Sequence, residues 1–106
     1  MPKQPYSLIY APATKKHLLG IDKEHHSLVR ETIVEQLTFD PEVESRNRKP
    51  LKRPVVPESE WEIRFGRRNR FRVFYRVRDN PRQVEILAIG VKDGESLIIG
   101  GQKIET

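Results

Sequence analysis

The chain has 106 residues with 20 Lys or Arg against 15 Asp or Glu, a net charge of +5, so it fits one domain over residues 1–106 with a basic surface. It is 36% hydrophobic and 33% charged, polar for a globular chain, but its spaced aromatics argue against wholesale disorder, and no apolar run nears the roughly 20 residues a transmembrane helix needs. Zero cysteines exclude disulfide scaffolds and thiolate chemistry, three histidines (His17, His25, His26) make a poor zinc site, and the N-terminus lacks the apolar stretch of a secretion signal, so a cytoplasmic protein without metal or cofactor is expected.

Tyr6-Ser7-Leu8-Ile9-Tyr10 is β-prone and bounded by Pro5 and Pro12, which predicts a strand. Pro12 suits a helix start, and Ala13 to Leu19 makes two turns closed by Gly20. Asp22 is a candidate N-cap for a longer helix from about Lys23 to Phe39, whose Leu28, Val29, Ile33 and Leu37 recur at helical spacing, and Asp40-Pro41 ends it. From Glu42 to Glu60 the chain is polar and carries Pro50, Pro54 and Pro57, which predicts a long irregular loop with at most a short edge strand at Leu51-Lys52.

Three strand signals follow. Trp61 to Phe65 alternates with period two, and so does Phe71 to Arg78, with Phe71, Val73, Tyr75 and Val77 on an apolar face and Arg72, Phe74, Arg76 and Arg78 on the other. Val84 to Ile89 is almost wholly apolar, as expected of a strand covered on both sides. The connectors at Gly66–Asn69 and Asp79–Arg82 are hairpin-like, and Leu97–Gly101 can add a short edge strand. The expected fold is α+β: two N-terminal helices on one face of a small, mostly antiparallel sheet, with the other face free.

The charge is unevenly placed. Residues 46–82 hold thirteen cations and four acids, a local +9, while the rest of the chain nets −4. Eleven of those cations are arginines, whose planar forks match phosphate oxygens and stack on bases. Arg64, Arg72 and Arg76 on adjoining strands, with Phe74 among them as a base-stacking ring, predict a nucleic-acid platform on the open sheet face. The alternative is internal pairing with Glu62 and Glu85 across strands. Lys92 leaves the last main strand at the rim of that face. The histidines fall in the helical half, away from the arginines, and Tyr75 falls on the apolar side, so no proton-transfer residue is evident.

Trp61-Glu62-Ile63-Arg64, Arg70-Phe71-Arg72-Val73-Phe74-Tyr75 and Ile86-Leu87-Ala88-Ile89-Gly90-Val91-Lys92, after Leu51-Lys52 and a two-helix half, together resemble the RelE/ParE superfamily of type II toxins, and RelE-like members most. The resemblance implies a fold similar to microbial ribonucleases, metal-independent cleavage of mRNA on the ribosome, and an acidic antitoxin that blocks the toxin. By matching position, Arg64, Arg72 and Lys92 would stabilise the phosphate during cleavage. Lys49, Lys52, Arg53, Arg67, Arg68, Arg70, Phe74 and Arg76 would contact RNA. RelE-like enzymes often carry a tyrosine or histidine near the C-terminus as general base, whereas Glu95 to Gly101 here has neither. The alternatives are a ParE-like toxin that inhibits DNA gyrase without nuclease chemistry, or a degenerate RNA- or antitoxin-binding module.

Overall fold

In the computed structural model, which describes residues 3–105, the first strand β1 (Ser7–Tyr10) leads into α1 (Ala13–Leu19), a 3-10 turn (Lys23–His25) and α2 (His26–Leu37). Six strands follow: β2 (Arg48–Pro50), β3 (Trp61–Phe65), β4 (Phe71–Asp79), β5 (Arg82–Asp93), β6 (Ser96–Ile99) and β7 (Gln102–Ile104). The helical periodicity expected from Lys23 onward is therefore split, with the first turn tightened. Asp22 makes no side-chain cap bond there. The short edge strand lies at Arg48–Pro50 rather than Leu51-Lys52, and the apolar segment at Val84–Ile89 is the middle of a 12-residue strand.

The sheet runs β2-β3-β4-β5-β6-β7, antiparallel throughout, and β1 joins β5 in parallel. Two strands share one edge of β5: β1 pairs with Gln83–Ile86, and β6 pairs with Gly90–Asp93. This end-to-end arrangement leaves a gap in the ladder between them, at Leu87 to Ile89.

The helix-facing core follows the period-two reading of β3 and β4. Val29, Ile33 and Leu37 of α2 pack on Ile63, Phe65, Phe71, Val73 and Tyr75, with Val84, Ile86 and Ile89 of β5. A bulge explains why β5 reads as apolar on both faces. Phe74 pairs with Ala88 and Tyr75 with Ile86, so Leu87 is an extra residue that shifts the alternation. Val84 and Ile86 face the helices before it, and Ile89 does so after it.

The second face of the sheet is covered, contrary to the expectation of a free surface. Phe74, Ala88, Leu97 and Ile99 form a second buried cluster, against which Leu51, Val55, Val56 and Ile104 pack. The cover comes from the proline-rich loop on one side and from β6 and β7 on the other. The loop is internally tied: the Ser59 hydroxyl donates to the Val56 carbonyl and accepts from the Val55 and Val56 amides. Its ends join the sheet through Leu51 N–H to the Glu60 carbonyl and Glu60 N–H to the Tyr75 carbonyl. The polar composition of residues 42–60 concealed three apolar residues, Leu51, Val55 and Val56, that make no periodic signal yet seal a core.

Between β3 and β4 the chain turns through a 3-10 segment (Arg67–Asn69) that needs Gly66. Gly66 has φ +80, and a Cβ there would sit 2.5 Å from the Phe71 ring, itself 1% exposed. Left-handed backbone costs a side-chain-bearing residue about 1–2 kcal/mol, and displacing a packed ring adds a further cost of roughly 1–3 kcal/mol. The Gly66→Ala variant is expected to lose about 2–5 kcal/mol in urea unfolding. An unchanged midpoint would show that the turn is not constrained in this way.

Candidate functional site: a paired arginine face and an unpaired cationic cleft

Guanidiniums that alternate onto the second face of β3 and β4 meet two carboxylates, one from β3 and one from β5. Glu62, only 6% exposed, holds Arg64 and Arg72 together: Arg64 Nε is 2.7 Å from Oε1, and Arg72 Nη1 is 3.4 Å from Oε2. Arg72 Nε also donates to the Asn69 carbonyl. Burial pushes the Arg72 guanidinium below its usual pKa, and Glu62 opposes that shift. Arginine nevertheless remains charged at any ordinary pH. Glu85 serves the other end of the face, with Arg76 Nη2 3.1 Å from Oε2 and Arg78 Nε 2.7 Å from Oε1. Hydrogen bonding to Arg76, ahead of the nearby positive charges, holds Glu85 below the usual carboxylate range. Glu58 adds a second partner to Arg76 at 3.3 Å.

The expected platform of free arginines flanking a stacking ring is thus not assembled on this face. Phe74, expected to stack a base, is 0% exposed because the loop and the C-terminal hairpin cover it. Arg64 and Arg72 do adjoin, being directly paired across β3 and β4, but they share one carboxylate. Arg48, counted among the segment's cations, is buried and spends its guanidinium on the Val43 carbonyl and on the carbonyl and side chain of Gln36. Lys49 lies 3.4 Å from Glu44, while Lys52 and Arg53 are exposed on the covering loop. The Tyr75 hydroxyl donates to the Pro41 carbonyl at 2.7 Å inside the helix-side core, and burial raises its pKa well above the usual value, so it is no proton donor for this face.

The remaining candidates converge elsewhere. Arg67, Arg68 and Arg70 of the β3–β4 turn and Lys92 at the end of β5 line an 820 Å³ cleft at the C-terminal end of α1. Among the described residues none of these four lies within ion-pair distance of a carboxylate. Arg68 and Asn69 both adopt positive φ, at 57° and 53°, a conformation that side-chain-bearing residues hold only where surrounding contacts enforce it. The Arg70 guanidinium lies 5.1 Å from the centroid of the Phe71 ring, within cation–π range. Asp22 and Asp93 line the same cleft. Beside it, Asp22, Glu24 and His25 bring their ligand atoms within 4.8 Å of one another, with His25 3.6 Å from Glu24.

His17 also lines this cleft, and sequence reasoning missed it by assigning all histidines to a separate helical half. The cause is topological. The gap between β1 and β6 on the edge of β5 leaves the Ile89 amide without a strand partner, and His17 Nδ1 accepts it at 3.2 Å. Because a backbone N–H only donates, Nδ1 carries no proton and the neutral ring carries it on Nε2. No periodicity signals a helix residue that completes a ladder; only the strand pairing reveals it.

A family model described as the ParE toxin of the type II toxin-antitoxin system, parDE, matches residues 8–93. The chain belongs to this family. No curated protein and no solved structure matches it. The RelE/ParE resemblance read from the strand motifs and the α+β fold are thereby borne out, and a ParE-family toxin implies an antitoxin partner. The matched segment contains His17, the arginine turn and Lys92 but ends at Asp93, so β6 and β7, which cover Phe74 and wall one side of the cleft, lie beyond it. No helix among the described residues of this ParE-family chain is long and apolar enough to cross a membrane.

Two outcomes test this charge arrangement. Replacing Glu62 by Gln leaves the largely buried Arg72 short of its counter-charge and is expected to cost roughly 2–4 kcal/mol of unfolding free energy. A free pair of solvated arginines would instead lose less than about 0.5 kcal/mol. For His17, burial first and Lys16 second lower the pKa below the ordinary 6.5. The unfolded chain therefore binds more protons just below that pH, and stability falls as pH drops through 6.5 toward the folded-state value. Urea midpoints at pH 7.5 and 5.5 are expected to differ less in His17→Asn than in the wild type. An identical pH dependence in both would show that His17 does not titrate differently on folding.

Proposed function

We propose that this ParE-family toxin arrests growth by binding and inhibiting DNA gyrase, and that it does not cut mRNA. The observation that carries this reading is the sharing of Glu62 by Arg64 and Arg72. A nuclease of the expected kind presents uncompensated cations where negative charge develops on the phosphorane, and it needs groups that exchange protons there. Here the two cations best aligned for that task already have a buried anion, and the phenol of Tyr75, on the same strand as Arg72, is enclosed on the opposite side of the sheet. The ParE family match over residues 8–93 supports the same reading, as does the absence of a tyrosine or histidine from Glu95 to Gly101. A cognate antitoxin, acidic to complement the net charge of +5, would neutralise the toxin.

Ribosome-dependent mRNA cleavage is the second reading, and the unpaired Arg67, Arg68, Arg70 and Lys92 favour it. Induction without antitoxin separates the two. Gyrase inhibition is expected to give loss of negative supercoiling by the purified enzyme and intact mRNA ends in arrested cells. Growth arrest should survive Arg72→Ala, provided the variant folds. New mRNA 5′ ends during arrest with gyrase unaffected, falling roughly 10²–10³-fold in Arg72→Ala, would overturn the proposal.

A further inference from the structure

Where α1 passes into α2, the helical spacing of the sequence gives way to the 3-10 turn Lys23–His25. Side chains three residues apart eclipse one another on such a turn. Asp22, just before it, and His25, its last residue, therefore come to one side. Asp22 stands at the N-cap position but makes no side-chain cap bond, so its carboxylate is not spent on the backbone. Glu24 joins them, and the ligand atoms of all three residues lie within 4.8 Å of one another.

The spacing suits a shared ion better than a direct bond. His25 Nε2 is 3.6 Å from Glu24 Oε1, too far for a hydrogen bond. Zinc bonds of about 2.0–2.1 Å in a tetrahedron set neighbouring ligand atoms roughly 3.3–3.4 Å apart, close to that separation. The half-buried imidazole is held by Phe71, whose ring centroid lies 5.3 Å away and which is itself in the core. The two carboxylates are exposed and can turn onto an ion beside it. Charge placement points the same way. Asp22 lines the cleft that holds Arg67, Arg68, Arg70 and Lys92, yet among the described residues neither Asp22 nor Glu24 pairs with a lysine or arginine. Two carboxylates that pass over available cations and gather around an imidazole repel each other unless a cation comes between them. One nitrogen with two oxygens fits zinc, whereas magnesium and calcium take oxygen ligands alone.

We propose that Asp22, Glu24 and His25 form a zinc-binding site, in which His25 Nε2 and one oxygen from each carboxylate coordinate the ion and solvent takes the fourth position. The three histidines of the chain make a poor zinc site by themselves; here one of them suffices because two carboxylates complete the set. The ion ties the connection between the helices to Phe71, and so to β4, through the His25 ring. It also engages Asp22, which leaves Asp93 as the one uncommitted acid lining the cationic cleft. The site is independent of which target the toxin disables.

The test titrates the full, untagged chain with zinc chloride by calorimetry and follows the histidine rings by NMR. One zinc per chain is expected, with the His25 Nε2 resonance shifting and those of His17 and His26 unmoved, and EDTA reversing the change. Glu24→Gln alters an exposed side chain and leaves the fold intact. It is expected to weaken zinc binding at least about tenfold, the smallest loss that follows even removal of an outer partner of a metal ligand. His25→Ala, which removes the nitrogen ligand, is expected to abolish the binding, and Glu35→Gln, on α2 away from the site, to change it less than twofold. Because the imidazole must be neutral to bind, affinity is expected to fall on acidification. An unmoved His25 resonance in the wild type, or wild-type affinity in Glu24→Gln, would overturn the proposal. Magnesium or calcium binding as tightly as zinc would make this a general acidic patch. Saturation at half an equivalent with a doubled mass in sedimentation would place the ion between two chains. Either result overturns the assignment of a single-chain zinc site.

Discussion

Two glutamates decide which of this protein's arginines are available. Glu62 on β3 and Glu85 on β5 flank β4 on one sheet face, and together they engage Arg64, Arg72, Arg76 and Arg78. A guanidinium taken partly out of water needs a counter-charge close by, or its desolvation goes uncompensated. Each carboxylate here takes two, so the local sum stays positive while every participating arginine keeps a partner. The segment's large formal charge therefore divides. Part of it is structural, holding β3, β4 and β5 in register across the second face. Among the described residues Arg46, Lys52, Arg53, Arg67, Arg68, Arg70 and Arg82 make no ion pair, and three of these gather in the β3–β4 turn beside Lys92 at the end of β5.

The layer above that face reinforces the division. Leu51, Val55 and Val56 from the loop and Leu97, Ile99 and Ile104 from the C-terminal hairpin bury Phe74. The same hairpin closes the opposite rim, where Ile98, Gly100 and Gly101 wall the cleft. One short addition after β5 thus shuts one candidate surface and shapes another. His17 links the two sides of this arrangement, because the ladder gap it fills exists only where β1 stops and β6 begins along the edge of β5.

Much of the fold was legible because it follows from local rules. Period-two alternation marked β3 and β4, helical spacing of Val29, Ile33 and Leu37 marked α2, and the motif set around Trp61, Arg72 and Gly90 pointed to the superfamily that the family match bears out. The bulge at Leu87 was legible only as a symptom, an apolar run without alternation. The site was less legible. Alternation placed Phe74 correctly on the arginine side of β4, but it carries no information about what lies above that side, and the covering residues come from a loop and a hairpin far away in sequence. Pairing between Glu62 and its two arginines was foreseeable as an alternative, since residues 62 and 64 share a face and Arg72 lies opposite Arg64. The placement of His17 depends on a missing hydrogen bond between two other strands, and no window along the chain contains that.

The division of the cationic surface rests on one claim: carboxylates occupy the sheet-face arginines while the turn arginines remain free. Solvent exchange of arginine Nε–H groups, followed residue by residue by NMR on the full chain, measures this directly. The Nε–H of Arg64 is expected to exchange slowly because Glu62 accepts it, that of Arg72 because Asn69 does, and that of Arg78 because of its contact with Glu85, while Arg67 and Arg68 exchange like free arginine. Exchange of Arg64 and Arg72 as fast as that of Arg67 would contradict the claim.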